Sequence, residues 1–245
     1  MYLWIIAAVA AYFIKGLCGF ANTLVFTSIL SFGASNANIS PIDLLLGYPT
    51  NLILTWKNRK SLDPKVYLPL SALVLAGSIP ASLAQTTYER ILARLEGRGV
   101  RAVVDATRDL LVNVLRYRPF LIKPNNHELS EITGVKLTTD REIAAAAKMM
   151  QDKGARNVLV SMAGDGALLL DEQGAVHRIG CPKGKVVNSV GAGDSMVAGF
   201  VAGYQQSGGD YEAALRLGTA CGSATAFSLG LATKADIDKL LKTME

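Results

Sequence analysis

Between Met1 and Ile42 the chain carries one charged side chain, Lys15, whereas from Tyr88 onward charged residues recur every few positions. That break divides the chain into two pieces suited to different surroundings. Met1 to Phe32 is apolar and long enough to cross a bilayer, for which about 20 apolar residues suffice. It has no basic leading region and carries Lys15 in its middle, so it does not read as a cleaved signal peptide. A lysine there has to face other helices or snorkel to the interface. Pro41 to Trp56 is a second, shorter apolar segment, interrupted at Gly47-Tyr48-Pro49. Lys57, Arg59, Lys60 and Lys65 follow it, and the positive-inside tendency places that loop in the cytoplasm. Residues 1–56 are therefore expected to be helical and to contact a membrane.

Val66 to Ala84 is a third apolar segment with two readings. It fits a short span, and it fits a buried parallel strand, Ala72 to Ala76, entering the turn Gly77-Ser78-Ile79-Pro80. Periodicity does not separate the two. Topology bears on the choice and leaves both open: two spans before the basic loop leave the remainder in the cytoplasm, and a third puts it outside.

The rest alternates between helix and strand signals. Tyr88, Ile91, Leu92 and Leu95 form a helical stripe ended by Gly97 or Gly99. Val100 to Val104 is a β-branched run with Asp105 at its carboxyl end, and Phe120 to Ile122 leads into Lys123-Pro124-Asn125. Asp140 to Lys153 reads as a helix stopped by Gly154, and Asn157 to Ser161 as a strand before a glycine-containing turn. Ala167 to Leu170 and Ala175 to Ile179 flank a hairpin signal. Gly193 to Gln205 is a helix opened by glycines, and Thr233 with Asp236 forms a capping box before the last helix. Strands alternating with helices predict a mainly parallel α/β sheet.

The net charge of +5 comes without any lysine- or arginine-rich run, so nothing marks a nucleic-acid surface. Cys18, Cys181 and Cys221 are three and widely spaced, which argues against a disulfide framework and for ordinary thiols in a reducing compartment. His127 and His177 are too few and too far apart for a metal cluster, and His177 reads as a strand residue without a role.

The strongest chemical signal is Asn188-Ser189-Val190-Gly191-Ala192-Gly193-Asp194-Ser195, running into an apolar helix. Small residues at a helix start expose backbone N–H groups at the positive end of the dipole, which suits a transferring phosphoryl group. A carboxylate at the same point is ill-suited to holding phosphate and well suited to taking the proton of an attacking hydroxyl. Read alone, the residues also fit a tight turn with Asp194 as a helix cap, since short glycine motifs recur by chance.

This stretch resembles the second signature of the PfkB carbohydrate kinases, which share the ribokinase fold. Four other stretches resemble that family in order and spacing. They are Leu73 to Pro80, Leu121 to Leu129, the nucleotide loop Val160 to Ala167, and the adenine-side helix and turn Gly218 to Ala232. The wording is closest to the 1-phosphofructokinase branch. The resemblance implies the carboxyl-terminal half of a ribokinase-like parallel sheet with flanking helices over residues 73–245. It implies ATP and a sugar phosphate as ligands, with Mg²⁺ as cofactor. Asp194 then resembles the catalytic base, and Gly191, Ala192 and Gly193 the anion hole. Ser161, Gly164, Gly166 and Asn188 fall near the nucleotide. Asn125 and Glu128 organise magnesium through water, and Lys123 either steadies a phosphate or is a surface lysine. Ala163 stands where many relatives have glycine.

The family's amino-terminal sugar-binding and lid motifs are not found between Met1 and Ala72. Residues 1–72 instead resemble the start of a TauE/SafE-type membrane exporter, through Phe13-Ile14-Lys15-Gly16-Leu17-Cys18-Gly19-Phe20 and Gly47-Tyr48-Pro49-Thr50-Asn51. The chain thus reads as two joined fragments, a chimera. Nucleotide binding is expected to outlast sugar binding, with weak Mg·ATP binding and little or no phosphorylation of fructose 1-phosphate by this chain. The alternative is a transport fragment with an inactive kinase remnant.

Overall fold

The computed structural model describes residues 72–79 and 83–244. The expected membrane helices and the exporter-like stretch at residues 1–71 lie outside the described residues. Among the described residues no helix is long and apolar enough to cross a membrane. Of the two readings of Val66 to Ala84, the strand is the one found: Ala72–Ala76 is β1, paired in parallel with β2, Arg101–Asp105.

The sheet continues through β3 (Leu121–Ile122), β4 (Asn157–Ser161), β5 (Ala167–Leu170) and β6 (Val176–Ile179), in sequence order. The pairings from β1 to β4 are parallel, and β5 and β6 each run antiparallel to the strand before. The sheet is therefore mixed. Its change of direction follows from the tight turns: Asp165 N and Gly166 N close a short 3₁₀ turn after β4, and Gly174 N bonds to Asp171 O at 2.9 Å after β5.

Seven α-helices flank the sheet among the described residues. They are α1 (Thr87–Leu95), α2 (Arg108–Val114), α3 (Asn126–Thr133), α4 (Asp140–Asp152), α5 (Ala192–Gln206), α6 (Tyr211–Ala226) and α7 (Lys234–Leu241). Alternate strand residues point to opposite faces, and two cores follow. Ala102, Val104, Ile122, Val158, Val160, Leu168 and Leu170 pack with α1 to α4. Val103, Leu121, Leu159, Ala167 and Leu169 pack with Met196, Val197 and Phe200 of α5 and Ala214 and Leu215 of α6. Burial on both faces is why the central strands read as continuous apolar runs.

Local signals explain the helix starts. Asn125, Thr139 and Thr233 each head a reciprocal capping box, with Glu128, Glu142 and Asp236. Asp210 accepts from Glu212 N and Ala213 N at the start of α6. α5 and α6 have small-residue faces and come very close. A Cβ on Gly199 would lie 2.7 Å from Cys221 Sγ, and one on Gly218 2.9 Å from Met196 O. His177 does have a structural role: its ring nitrogen lies 2.8 Å from Asp171 Oδ2, bracing the β5–β6 turn.

Candidate active site

The carboxyl ends of the parallel strands meet the start of α5. Asp105 ends β2, Lys123 follows β3, and Lys123 Nζ lies 3.1 Å from Asp105 Oδ2. Both side chains are largely buried, so Lys123 is not a surface lysine. Its backbone N–H bonds to Val104 O at 3.2 Å, which fixes the pair across the strands. A Cβ on Gly193 would lie 3.3 Å from Lys123 Nζ and 3.8 Å from Asp105 Oδ2. The first turn of α5 therefore rests directly on this pair, and glycine keeps the approach short.

α5 itself begins at Gly191, whose φ of 80° is readily adopted only by glycine, and no side chain caps it. The contrast with α3, α4, α6 and α7 is chemical. Their leading N–H groups are met by side chains, while those of α5 have no side-chain partner, Ala192 N donating instead to Ser189 O at 3.1 Å. The reading of Asp194 as a cap is thus set aside. It sits exposed in the first turn. Burial pushes the Asp105 carboxyl above its ordinary value. Lys123 works against this by charge and hydrogen bond, and the charges of Asp194 and Glu128 add to the rise.

Beside this lies a cleft of about 680 Å³. Its walls include Lys123, Asn125, Ser161, Gly164, Gly166, Ala192 and Gly193, so three separated motifs converge as expected. Asn125 and Ser161 are neighbours through a parallel bridge, with Ser161 N bonded to Pro124 O at 3.1 Å. Gly166, at φ 90°, is forced: a Cβ there would lie 2.1 Å from Ile179 O. Gly164 has open space around it, and Ala163 holds a left-handed φ of 47°.

Four of the sequence-derived residues stand off the cleft wall: Asp194, Gly191, Asn188 and Glu128. Asn188 is engaged structurally. Its Nδ2 donates to Leu229 O at 3.1 Å and its Oδ1 accepts from Val190 N at 3.1 Å. Glu128 Oε2 accepts from Asn125 N at 2.8 Å, and Asn125 Oδ1 accepts from Glu128 N at 2.8 Å. Among the described residues no three His, Cys, Asp or Glu side chains converge closely enough to cage a metal. The sequence reading passed over Asp105, which it had already placed at a strand's carboxyl end. Thr219, Ser223 and Phe227, which line the cleft from α6 and the residue after it, lie in the stretch Gly218 to Ala232 that resembles the adenine side, though none of them was singled out.

An open α/β sheet whose parallel strand ends face an uncapped helix start defines an anion-binding protein of the nucleotide-site type. Residues 49–238 match the family model described as pfkB family carbohydrate kinase, and this chain belongs to that family. It is 48% identical over 169 residues to 1-phosphofructokinase of Bacillus subtilis (strain 168), covering 69% of this chain and 55% of that protein. Identity is 38% over 172 residues to D-tagatose-1-phosphate kinase of Bacillus licheniformis, covering 70% and 55%. Phosphofructokinase-2 of Escherichia coli, solved in complex with substrates and products, superposes with a TM-score of 0.65 at 29% identity, covering 71% and 57%. The fold is ribokinase-like, a mixed sheet with flanking helices. The chain spans about half the length of the curated relatives it matches. The family match begins at residue 49, inside the stretch read as exporter-like, and none of these matches shows the exporter resemblance.

Proposed function

We propose that the described domain is the nucleotide side of an ATP-dependent sugar-phosphate kinase acting on fructose 1-phosphate. The observation that carries this reading is the uncapped start of α5 lying on the buried Lys123–Asp105 pair. Leading N–H groups and an ammonium in a low-dielectric recess favour the charge that builds on a transferring phosphoryl group. Within the loop Gly191, Ala192 and Gly193, the two glycines supply N–H groups to the ligand while Ala192 N, donating to Ser189 O at 3.1 Å, holds the turn, and Lys123 supplies the positive charge. Asp194, in the same turn, takes the proton of the 6-hydroxyl. That oxygen then bonds to the γ-phosphorus as the bond to the β-bridging oxygen breaks, giving fructose 1,6-bisphosphate and ADP. Ser161, Gly164 and Gly166 border the nucleotide, and Asn188 holds the loop that leads into α5.

The donor set fits Mg²⁺ held through water. Glu128 keeps one carboxylate oxygen outside its capping bond, Asp105 and Asp194 are near, and no protein-only cage is present among the described residues. The ion, when bound, would neutralise charge on the β- and γ-phosphates. Tagatose 1-phosphate is the second substrate to consider, on the likeness to the Bacillus licheniformis enzyme.

The test is Mg·ATP binding by calorimetry, together with a coupled assay of the purified chain on fructose 1-phosphate, tagatose 1-phosphate and fructose 6-phosphate. The expected result is ATP binding that survives Asp194→Asn, with sugar phosphorylation lost. Absence of nucleotide binding, or turnover that persists in Asp194→Asn, would overturn the reading.

A further inference from the structure

We propose that the end of the sheet opposite the cleft is a docking surface for an acidic protein segment, centred on Arg101. This inference stands apart from the nucleotide reading. Strands β1 to β4 run in parallel, so their amino-terminal ends gather at one pole while the cleft lies at the other. Arg101 opens β2, Arg118 lies shortly before β3, and Arg156 immediately precedes β4. The register brings these positions together. Val103 pairs with Leu121 and Leu121 with Asn157, and Arg156 N bonds to Pro119 O at 3.0 Å.

Two guanidiniums pack on one buried ring. Arg156 Cζ lies 5.4 Å from the centre of Phe120, and Arg101 Cζ lies 5.7 Å from the centres of both Phe120 and Tyr204. Their charges are met differently. Arg156 Nη2 reaches Glu172 Oε2 at 2.6 Å, and Glu172 also accepts from the Tyr211 hydroxyl at 2.8 Å. Arg101 is exposed and faces no carboxylate among the described residues. The rings hold its planar fork in place, which lowers the ordering cost of meeting a carboxylate.

Arg118 adds a second cation in a strained place. It ends the 3₁₀ turn Leu115–Tyr117 with a left-handed φ of 52°, which glycine adopts freely. Its side chain is exposed and makes no ion pair among the described residues, so nothing inside the fold accounts for an arginine there. Gly154 is pressed against Leu115 O, where an added Cβ would lie at 2.1 Å, and this sets exposed Lys153 beside the same turn. The nearby carboxylates are engaged: Glu89 by Arg116, Asp152 by Lys148, Glu172 by Arg156, Asp210 as the cap of α6, and Glu212 by His177 at 3.6 Å. Glu96, in the turn after α1, is offset by Arg98 in the same turn. Arg101, Arg118 and Lys153 therefore leave the pole positive. Arginine forks match carboxylates bidentately. The rings here lie under guanidiniums, Phe120 and Tyr204 under Arg101 and Tyr117 under Arg116 at 5.0 Å, and are not open to stack bases.

The probe is a fluorescein-labelled oligoglutamate peptide, and its binding to the full chain is read by fluorescence anisotropy at low salt. Arg101→Glu should weaken binding about tenfold or more, the worth of one charge-assisted hydrogen bond. Arg118→Gly should weaken it about threefold, as for an exposed ion pair, without lowering Tm, because glycine relieves the left-handed φ. That variant keeps the test independent of folding. Lys185→Glu, next to Val186 of the cleft wall, should leave binding nearly unchanged. Saturating tripolyphosphate should not displace the peptide. Unchanged affinity in both Arg101→Glu and Arg118→Gly would overturn the inference. An equal loss in Lys185→Glu would overturn it by showing attraction to net charge alone, and displacement by tripolyphosphate by placing the peptide in the cleft. Tighter, Arg101-dependent binding of single-stranded DNA or of phosphatidylglycerol vesicles would overturn the protein partner in favour of nucleic acid or membrane. Arg101-dependent self-association in light scattering would overturn it in favour of a second copy.

Discussion

The two faces of the sheet are built by different rules. On the face covered by α1 to α4, helices are held off by medium and large side chains such as Leu92, Leu111, Leu129 and Met150. Two of these helices, α3 and α4, start in complete capping boxes. On the other face, α5 and α6 are drawn together by Gly199, Gly203, Gly218 and Gly222, and α5 starts without a side-chain cap. Capping alone does not divide the faces, since α1 and α2 also start without a side-chain cap and α6 is capped by Asp210. What the second face adds is an uncapped helix start laid against a buried ion pair at the strand ends.

The largest effect should separate the faces by what they lose. Asp194→Asn should lower sugar-phosphate turnover by about 10²- to 10⁴-fold, the range for a general base, with Tm nearly unchanged. A large fall in Tm would show that the carboxylate serves the fold. On the opposite face Leu111→Ala removes a fully buried side chain. Chemical denaturation should report a loss of about 2–5 kcal/mol, while nucleotide affinity in the folded protein stays the same.

Gly199→Ala tests the close packing of the site face. The added methyl meets Cys221 Sγ at 2.7 Å and Leu217 O at 2.9 Å. It should cost about 1–3 kcal/mol and also weaken nucleotide binding, because α6 carries part of the cleft wall. Destabilisation with no change in binding would break the link drawn here between helix approach and site.

Acid titration provides the finest contrast. The Glu142 carboxylate accepts hydrogen bonds from Thr138 and Thr139, which lower its pKa from 4.5 to about 2. A lowered folded pKa stabilises above the unfolded value and loses that contribution as pH falls toward 2. Asp105 is raised, mainly by burial. Its folded state binds the proton more tightly than the unfolded chain, so its contribution is present at low pH and is lost as pH rises through the raised value. In urea midpoints measured against pH, Glu142→Gln should flatten the acid loss of stability and Asp105→Asn should steepen it. Equal slopes for the two variants would erase the distinction between the faces.

Much of the scaffold was legible in the sequence, because its rules are local. Asn157–Ser161 and Ala167–Leu170 are strands at the expected residues, and Thr233 and Asp236 form the expected box. Helix α2 was not legible, since its short run begins at Arg108, which holds a left-handed φ of 50°, and shows no long stripe. The start of α5 could be read from Gly191 to Asp194, but its bed could not. Asp105 and Lys123 meet only because β2 and β3 lie side by side in one register, and no local pattern encodes that register. The Asn125 and Glu128 pair shows the reverse problem. The spacing that resembles a magnesium motif is also that of a capping box, and the structure uses it as one.

The change of strand direction at β4 also bears on the order of assembly. β4, β5 and β6 join through short turns, and α5 and α6 through a few residues, so these contacts close small loops. The parallel pairings from β1 to β4 each wait for a helical crossover. Small loops close first and at lower entropic cost. The carboxyl-terminal part of the sheet is therefore the natural nucleus, and β1, which pairs only with β2 among the described strands and leaves Val74 45% exposed, is the natural last arrival. In pulse-labelled hydrogen exchange, protection should spread from the β5–β6 hairpin toward Ala72, as a zip fastener closes from its fixed end.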